Sequence, residues 1–231
     1  MSIKLGVYDF FAYTIPGVFY LLIGIVALAL FGVTNVDLQT VNSLSLVGAV
    51  LLAGAGYATG LVMDPLAMRW HGRFGPRQRE KIEAFGELMA DYPHLTPRFN
   101  AHDRSLLLAF LRRRDMELVG EIERYNVNCI MLRNLSLGLA LMSLLFVAYF
   151  VFVVPFWPNL IIAAVCAGLS VLAARQGLKF KKWYYDATFT AATAEAMRVE
   201  DLFEETPRFI RSAQMTNASV HPLGDDPPTP P

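Results

Sequence analysis

Four histidines and two cysteines are the residues of this chain whose side chains most often perform catalysis or bind metals. They are His71, His94, His102, His221, Cys129 and Cys166. No two of the histidines have the spacing of a zinc-binding motif such as HExxH, and neither cysteine belongs to a CxxC pair. The sequence contains no glycine-rich phosphate-binding loop. We therefore predict no metal site and no cofactor.

One pair of residues could support hydrolysis at a membrane surface. Asp64 and His71 follow directly after an apolar stretch, in the interfacial position where membrane hydrolases work. Helix capping or a solvated loop explains the same residues, and His102 with Asp103 forms only a local pair without a nearby nucleophile. We therefore predict that the protein is not an enzyme, and a membrane enzyme near Asp64 and His71 is kept as an alternative.

The elements that would position any site are mostly apolar. Of the 231 residues, 55% are apolar and 17% are charged, whereas soluble domains carry roughly 25% charged residues. Four stretches without a charged residue are long enough to cross about 30 Å of hydrocarbon. They are residues 15–33, 44–63, 135–154 and 156–174. The sequence therefore predicts an all-α, polytopic membrane protein with four transmembrane helices.

The first apolar stretch could also be a secretory signal. Its apolar run exceeds the about 7–15 residues of a signal core, and no small-residue cleavage site follows it. We therefore expect a retained span. Residues 1–13 are amphipathic and aromatic. Proline is common at the first position of a helix, so Pro16 indicates a helix start. This pattern predicts an interfacial helix, a turn at Thr14–Gly17 and then the first span.

The basic residues predict an orientation in the membrane. All 20 Lys and Arg residues lie outside the apolar stretches and outside the two short segments that join the first to the second and the third to the fourth. Since Lys and Arg accumulate on the cytoplasmic side, both termini should lie in the cytoplasm of an inner (plasma) membrane. The formal net charge of zero gives no indication of nucleic-acid binding.

The remaining chain predicts a helical cytoplasmic extension. A stripe of apolar residues indicates an amphipathic helix around residues 77–92, and a longer helix should run from about His102 into the third span. Span two should end at Asp64–Pro65. The predicted organisation is an interfacial helix (1–13), a transmembrane hairpin (14–63, spans 15–33 and 44–63), a cytoplasmic helical region (64–134), a second hairpin (135–174, spans 135–154 and 156–174), a cytoplasmic helix (175–211) and a disordered tail (212–231).

Three groups of residues are candidates for interactions. Small residues on the spans predict helix packing or an oligomer interface: Gly48, Gly56, Gly60, Ala163 and Ala167. Aromatic and basic residues at the span ends predict anchors at the membrane surface: Tyr8, Phe11, Tyr13, Trp70, Lys181, Lys182, Trp183 and Tyr184. Three consecutive arginines predict contact with a partner protein: Arg112, Arg113 and Arg114.

These features favour a non-enzymatic, homo-oligomeric sensor, signalling or scaffold subunit that contacts membrane lipids and a cytoplasmic protein. The layout is also similar to that of small prokaryotic immunity effectors, so a pore-forming effector of an anti-phage defence system is an alternative. A small channel or transporter is a further alternative, although the spans lack the charged residues typical of coupled transport.

Overall fold

The computed structural model describes residues 3–33, 45–75, 79–91 and 104–198, and within these ranges it contains six α-helices and no strand. The helices are α1 (Ile3–Leu30), α2 (Leu46–His71), α3 (Arg79–Asp91), α4 (Arg104–Arg114), α5 (Met116–Phe152) and α6 (Trp157–Arg198). The predicted all-helical fold is confirmed. The segment that joins the first two spans, the histidines other than His71, and the predicted tail lie outside the described residues.

Four helices, α1, α2, α5 and α6, are long and apolar enough to cross a membrane. Between 11% and 22% of the residues in the apolar window of each helix are buried within the chain. A soluble monomer rarely exposes apolar surface on this scale. The outward-facing apolar side chains are therefore those of a multi-pass membrane protein.

In the N-terminal half, α1 and α2 each contain an internal proline and remain helical on both sides of it. α1 passes through Pro16 without a break, so the predicted turn at Thr14–Gly17 is wrong. α2 passes through Pro65 and ends at His71, where the N–H of Gly72 donates to the carbonyl oxygen of Met68, so the predicted end at Asp64–Pro65 is also wrong. Neighbouring helices and polar side chains let membrane helices accommodate proline in this way.

The two helices of the C-terminal half are much longer than a membrane is thick. α5 has 37 residues and α6 has 42, which at about 1.5 Å per residue is roughly 55 and 63 Å, against about 30 Å of hydrocarbon. The predicted helix from His102 is interrupted at Asp115, whose carboxylate accepts from two N–H groups at the start of α5. From Met116 onwards, the helix continues into the apolar stretch as expected.

The charged ends of α5 and α6 pack with α3 and α4 into a second core. We call this assembly the helical module: α3, α4, residues 116–131 of α5 and residues 175–198 of α6. Its buried core consists of Ala84, Leu88, Leu111, Val119, Ile122, Tyr184, Tyr185, Phe189 and Ala192. α5 and α6 therefore each have one end in this core and the other in the apolar bundle.

Candidate functional site

A charged cluster, the polar junction, joins α1, α2 and α5 where the helical module meets the apolar bundle. It consists of Tyr20, Asp64, Arg133 and Asn134. Nη2 of Arg133 lies 2.5 Å from Oδ1 of Asp64, and Nδ2 of Asn134 donates to the same oxygen at 2.9 Å. The hydroxyl of Tyr20 donates to the carbonyl oxygen of Asn134 at 2.6 Å. The junction therefore ties the first two helices to α5.

The sequence places the groups of α2 and α5 at the same depth because each stands at the edge of an apolar stretch, whereas Tyr20 lies within the stretch 15–33. Asp64 directly follows residues 44–63, and Arg133 and Asn134 directly precede residues 135–154. The Arg133 and Asp64 side chains are only 13% and 16% exposed. At such low exposure the ion pair is weakly screened by water, and removal of either partner would leave a buried charge.

A second set of hydrogen bonds joins α2, α5 and α6 next to the junction. Nε1 of Trp70 donates to Oγ of Ser136 at 3.0 Å. The hydroxyls of Ser136 and Ser170 each donate to the other's carbonyl oxygen, at 2.8 and 2.7 Å. Sequence reasoning missed this pair, and its signal was two serines in otherwise apolar stretches. Such hydrogen bonds between helices stabilise membrane bundles.

His71 is the last residue of α2 and lies closer to the helical module than Asp64 and Trp70 do. It is 6% exposed. An added Cβ on Gly177 would lie 3.1 Å from Cε1 of His71, so α6 passes directly over the imidazole ring. Within the described part of the chain, neither ring nitrogen has a hydrogen-bond partner. Asp64 stands seven residues earlier on the same helix, about 10.5 Å along its axis. At this separation the two side chains do not form a hydrogen bond with each other.

The predicted small-residue interface is divided between two roles. A Cβ on Gly60 would overlap the carbonyl oxygen of Tyr13, and a Cβ on Gly56 would lie 2.5 Å from Cγ2 of Val18. These glycines therefore allow α1 and α2 of the same chain to approach closely.

The other predicted small residues lie elsewhere on the bundle. Ala163 is buried, and its carbonyl oxygen accepts from Ser143 at 2.8 Å, so it serves the contact between α5 and α6. Gly48 is partly exposed and Ala167 is exposed. Of the five predicted small residues, Gly48 and Ala167 are therefore the two that face the surroundings of the chain.

The predicted anchors after the fourth apolar stretch mostly face the helical module. Nζ of Lys181 lies 3.1 Å from Glu80, and Nζ of Lys182 lies 2.5 Å from Glu87, so both lysines hold α3 against α6. Tyr184 is 3% exposed and belongs to the module core. The burial of Tyr184 differs from the predicted surface position, whereas the membrane contact predicted for Lys181 and Lys182 stays a prediction.

Trp183 is the member of that group that points outward, with 45% exposure. Its ring packs against Phe180 and Tyr125, at centroid distances of 5.1 and 6.2 Å. This aromatic cluster crosses from α6 to α5 and presents an apolar edge to the surroundings, and the anchoring role of Trp183 stays a prediction.

The N-terminal anchors contact neighbouring helices. The guanidinium of Arg124 on α5 lies 5.2 Å from the ring centroid of Tyr8, and Tyr13 packs edge-on against Tyr57 of α2 at 6.1 Å. Phe11 is half exposed. The first turns of α1 therefore lie along α5 and α2, which differs from the predicted separate interfacial helix.

Two of the three consecutive arginines have partners within the chain. Arg112 forms an ion pair with Glu123 at 2.5 Å, and the guanidinium of Arg114 lies 5.8 Å from the ring of Phe110. Arg113 is exposed. Arg112 and Arg114 are exposed as well, so the predicted contact of the three arginines with a partner protein stays a prediction.

No family model, curated protein or solved structure matches this chain. Among the described residues, no three His, Cys, Asp or Glu side chains are grouped so that they could hold a metal ion. The polar junction and the unbroken helices α5 and α6 connect the helical module to the apolar bundle.

Proposed function

We propose that this protein is a non-enzymatic signalling or scaffold subunit of the plasma membrane. It works as a homo-oligomer, its helical module lies in the cytoplasm, and a soluble partner protein binds the module. The observation that carries the proposal is the continuity of α5 and α6, which run unbroken from the module core into the apolar bundle. A displacement of the module would therefore move the spans.

The packing of the module supports mechanical coupling. Ile122 of α5 and Phe189 of α6 are almost completely buried in the module core, at 2% and 0% exposure. Because close-packed helices move as rigid bodies, a partner that shifts α3 or α4 would shift both long helices together. The polar junction would then transmit that shift to α1 and α2.

The module surface supports a protein partner. Ile82, Leu106 and Met116 are apolar side chains with 57%, 57% and 46% exposure, and Arg113 is exposed nearby in sequence. Interfaces between proteins combine apolar side chains of this kind with arginine.

Outward-facing glycines support the oligomer. An added Cβ on Gly54 of α2 or Gly168 of α6 would meet no atom of the described chain within 4 Å. These positions leave room for the close approach of a helix from a second copy.

Site-specific photo-crosslinking in cells tests the proposed partner. A photoreactive amino acid at Leu106 should crosslink one soluble protein reproducibly, whereas the same amino acid at Val165, which is 55% exposed on the apolar half of α6, should crosslink lipid or a second copy. Identical products from both positions would contradict a partner that binds the module.

Ion conduction distinguishes this proposal from a pore-forming effector or a channel. The purified protein should leave the potential of sealed proteoliposomes unchanged, with and without the crosslinked partner. Dissipation of the potential in proportion to the amount of protein would overturn the scaffold proposal, and the exposed apolar faces of the bundle would then be assigned to pore assembly.

A further inference from the structure

An apolar groove of about 300 Å³ lies between α5, α6 and the end of α2. Its lining includes Trp70, Phe74, Leu144, Val147, Ala167 and Val171. Leu144 is 64% exposed, and Val147 and Val171 are 38% and 37% exposed, so the groove opens towards the surroundings of the bundle. It lies beside the apolar stretches of α5 and α6, where the surroundings are lipid.

The polar groups in the wall of this groove are already engaged. Oγ of Ser143 donates to the carbonyl oxygen of Ala163 at 2.8 Å, and Oγ of Ser170 donates to the carbonyl oxygen of Ser136 at 2.7 Å. Neither hydroxyl needs a partner from an occupant. The groove therefore offers an apolar surface that suits a hydrocarbon chain.

The positively charged side chain of Arg73 lies at one end of the groove. The guanidinium carbon of Arg73 lies 5.4 Å from the ring centroid of Trp70, and Trp70 is fixed by its hydrogen bond to Ser136. Ser136 is the second residue of the apolar stretch 135–154, so Trp70 and Arg73 mark the edge of the bundle. Because the stretch 135–154 is long enough to span the hydrocarbon, we place the lipid headgroups at this edge.

We propose that this groove binds one anionic phospholipid. An acyl chain occupies the surface from Trp70 to Val147, and the headgroup phosphate pairs with Arg73, which exposes guanidinium N–H donors suited to phosphate. The charge at the mouth and the hydrocarbon lining together distinguish this occupant from a neutral lipid. The site does not depend on the proposed signalling function, since a pore or a scaffold could both hold it.

Native mass spectrometry of the full chain tests the proposal. Phosphatidylglycerol should remain bound in a 1:1 complex under conditions that remove phosphatidylcholine. Under these conditions Arg73→Gln should reduce the bound fraction of phosphatidylglycerol about tenfold. Ala167→Phe should also reduce the bound fraction of phosphatidylglycerol because it fills the groove.

The matched controls are a second Arg→Gln substitution and a second substitution to Phe, both placed outside the groove. Arg113→Gln removes an exposed charge from the helical module, and Val165→Phe adds an aromatic ring about 200° around α6 from Ala167. Both should retain phosphatidylglycerol like the unmodified chain. Equal retention of the two lipids by the unmodified chain, or equal effects of Ala167→Phe and Val165→Phe, would overturn the site.

Fluorescence quenching gives a second measurement that needs no groove substitution. In a chain with Trp157→Phe and Trp183→Phe, Trp70 is the remaining tryptophan. Phosphatidylglycerol brominated on its acyl chain should quench Trp70 more strongly than equally brominated phosphatidylcholine at the same mole fraction. Equal quenching by the two lipids would contradict selective binding at this groove.

Discussion

At the residue scale, the polar junction explains why a chain with apolar spans keeps a charge pair at their ends. Asp64 and Arg133 come from different hairpins. Each side chain is largely buried, and an unpaired charge would be unfavourable in such apolar surroundings. Their pairing therefore selects the arrangement in which α2 and α5 meet. A buried ion pair of this kind fixes geometry more than it adds stability, because much of its Coulomb energy offsets desolvation.

Asp64→Asn should destabilise the folded bundle. The substitution keeps the shape of the side chain but leaves the guanidinium of Arg133 without its carboxylate, which costs about 3 kcal/mol for a buried pair. Equilibrium unfolding in mixed micelles measures the change in the free energy of unfolding.

Two controls separate the ion pair from general effects of substitution. Arg79→Gln removes an exposed ion pair with Glu83 and should cause no measurable loss. The double substitution Asp64→Asn with Arg133→Gln should be less destabilised than Asp64→Asn alone, since no unpaired charge remains. An equal or greater loss in the double variant would contradict the role given to the pair.

At the element scale, the sequence indicates that a close contact between helices exists but does not identify which helix makes it. The spacing of Gly56 and Gly60 indicates a small helix face, and α1 of the same chain occupies it. The pattern could not assign that partner because α1 and a helix of a second copy would fit the same glycines. Likewise, the continuity of α1 through Pro16 depends on the packing of α1 against α2 and α5. Local helix propensity carries no information about such tertiary contacts.

Gly60→Ala should separate α1 from α2. The added methyl group would overlap the backbone carbonyl of Tyr13, and overpacking at such a contact costs about 1–3 kcal/mol. Gly24→Ala is the matched control, because a Cβ there meets no atom of the described chain within 4 Å. Unfolding free energies that fall equally for both variants would contradict the close contact.

The attachment of α3 to α6 gives a separate prediction. Lys181 and Lys182 pair with Glu80 and Glu87, and reversal of both lysines to Glu would replace two attractions with repulsion. We expect backbone amides of α3 to exchange with solvent about tenfold faster, which hydrogen-exchange mass spectrometry measures.

Charge restoration and a nearby substitution control this experiment. Glu80→Lys with Glu87→Lys in the reversed background should return the exchange rate towards its original value. Lys179→Glu, at an exposed position of the same helix, should leave α3 unchanged. Unchanged exchange of α3 in the reversed variant would contradict this role of the ion pairs and would show that the apolar contacts of Ala84 and Leu88 hold α3 without them.

At the scale of the whole molecule, the sequence was most informative about class and least about arrangement. Four uncharged stretches predicted the four apolar helices because length and hydropathy alone determine whether a helix can span a membrane. Lys181 and Lys182 look like membrane anchors in sequence because they follow a span, but the fold places α3 beside them. The partners of charged residues depend on tertiary contacts between distant segments, which no local pattern specifies.

The orientation of the molecule is the prediction on which the proposed cytoplasmic partner depends. The turn between α5 and α6, Val153–Phe156, is exposed and uncharged, whereas the helical module carries the ion pairs and Arg113. Since positive charge is retained on the cytoplasmic side, the turn should lie outside and the module inside. In a chain with Cys129→Ala and Cys166→Ala, Phe156→Cys should react with a membrane-impermeant maleimide on intact cells. Arg113→Cys should react only after the membrane is permeabilised, and the opposite labelling would place the module outside and remove the basis for a cytoplasmic partner.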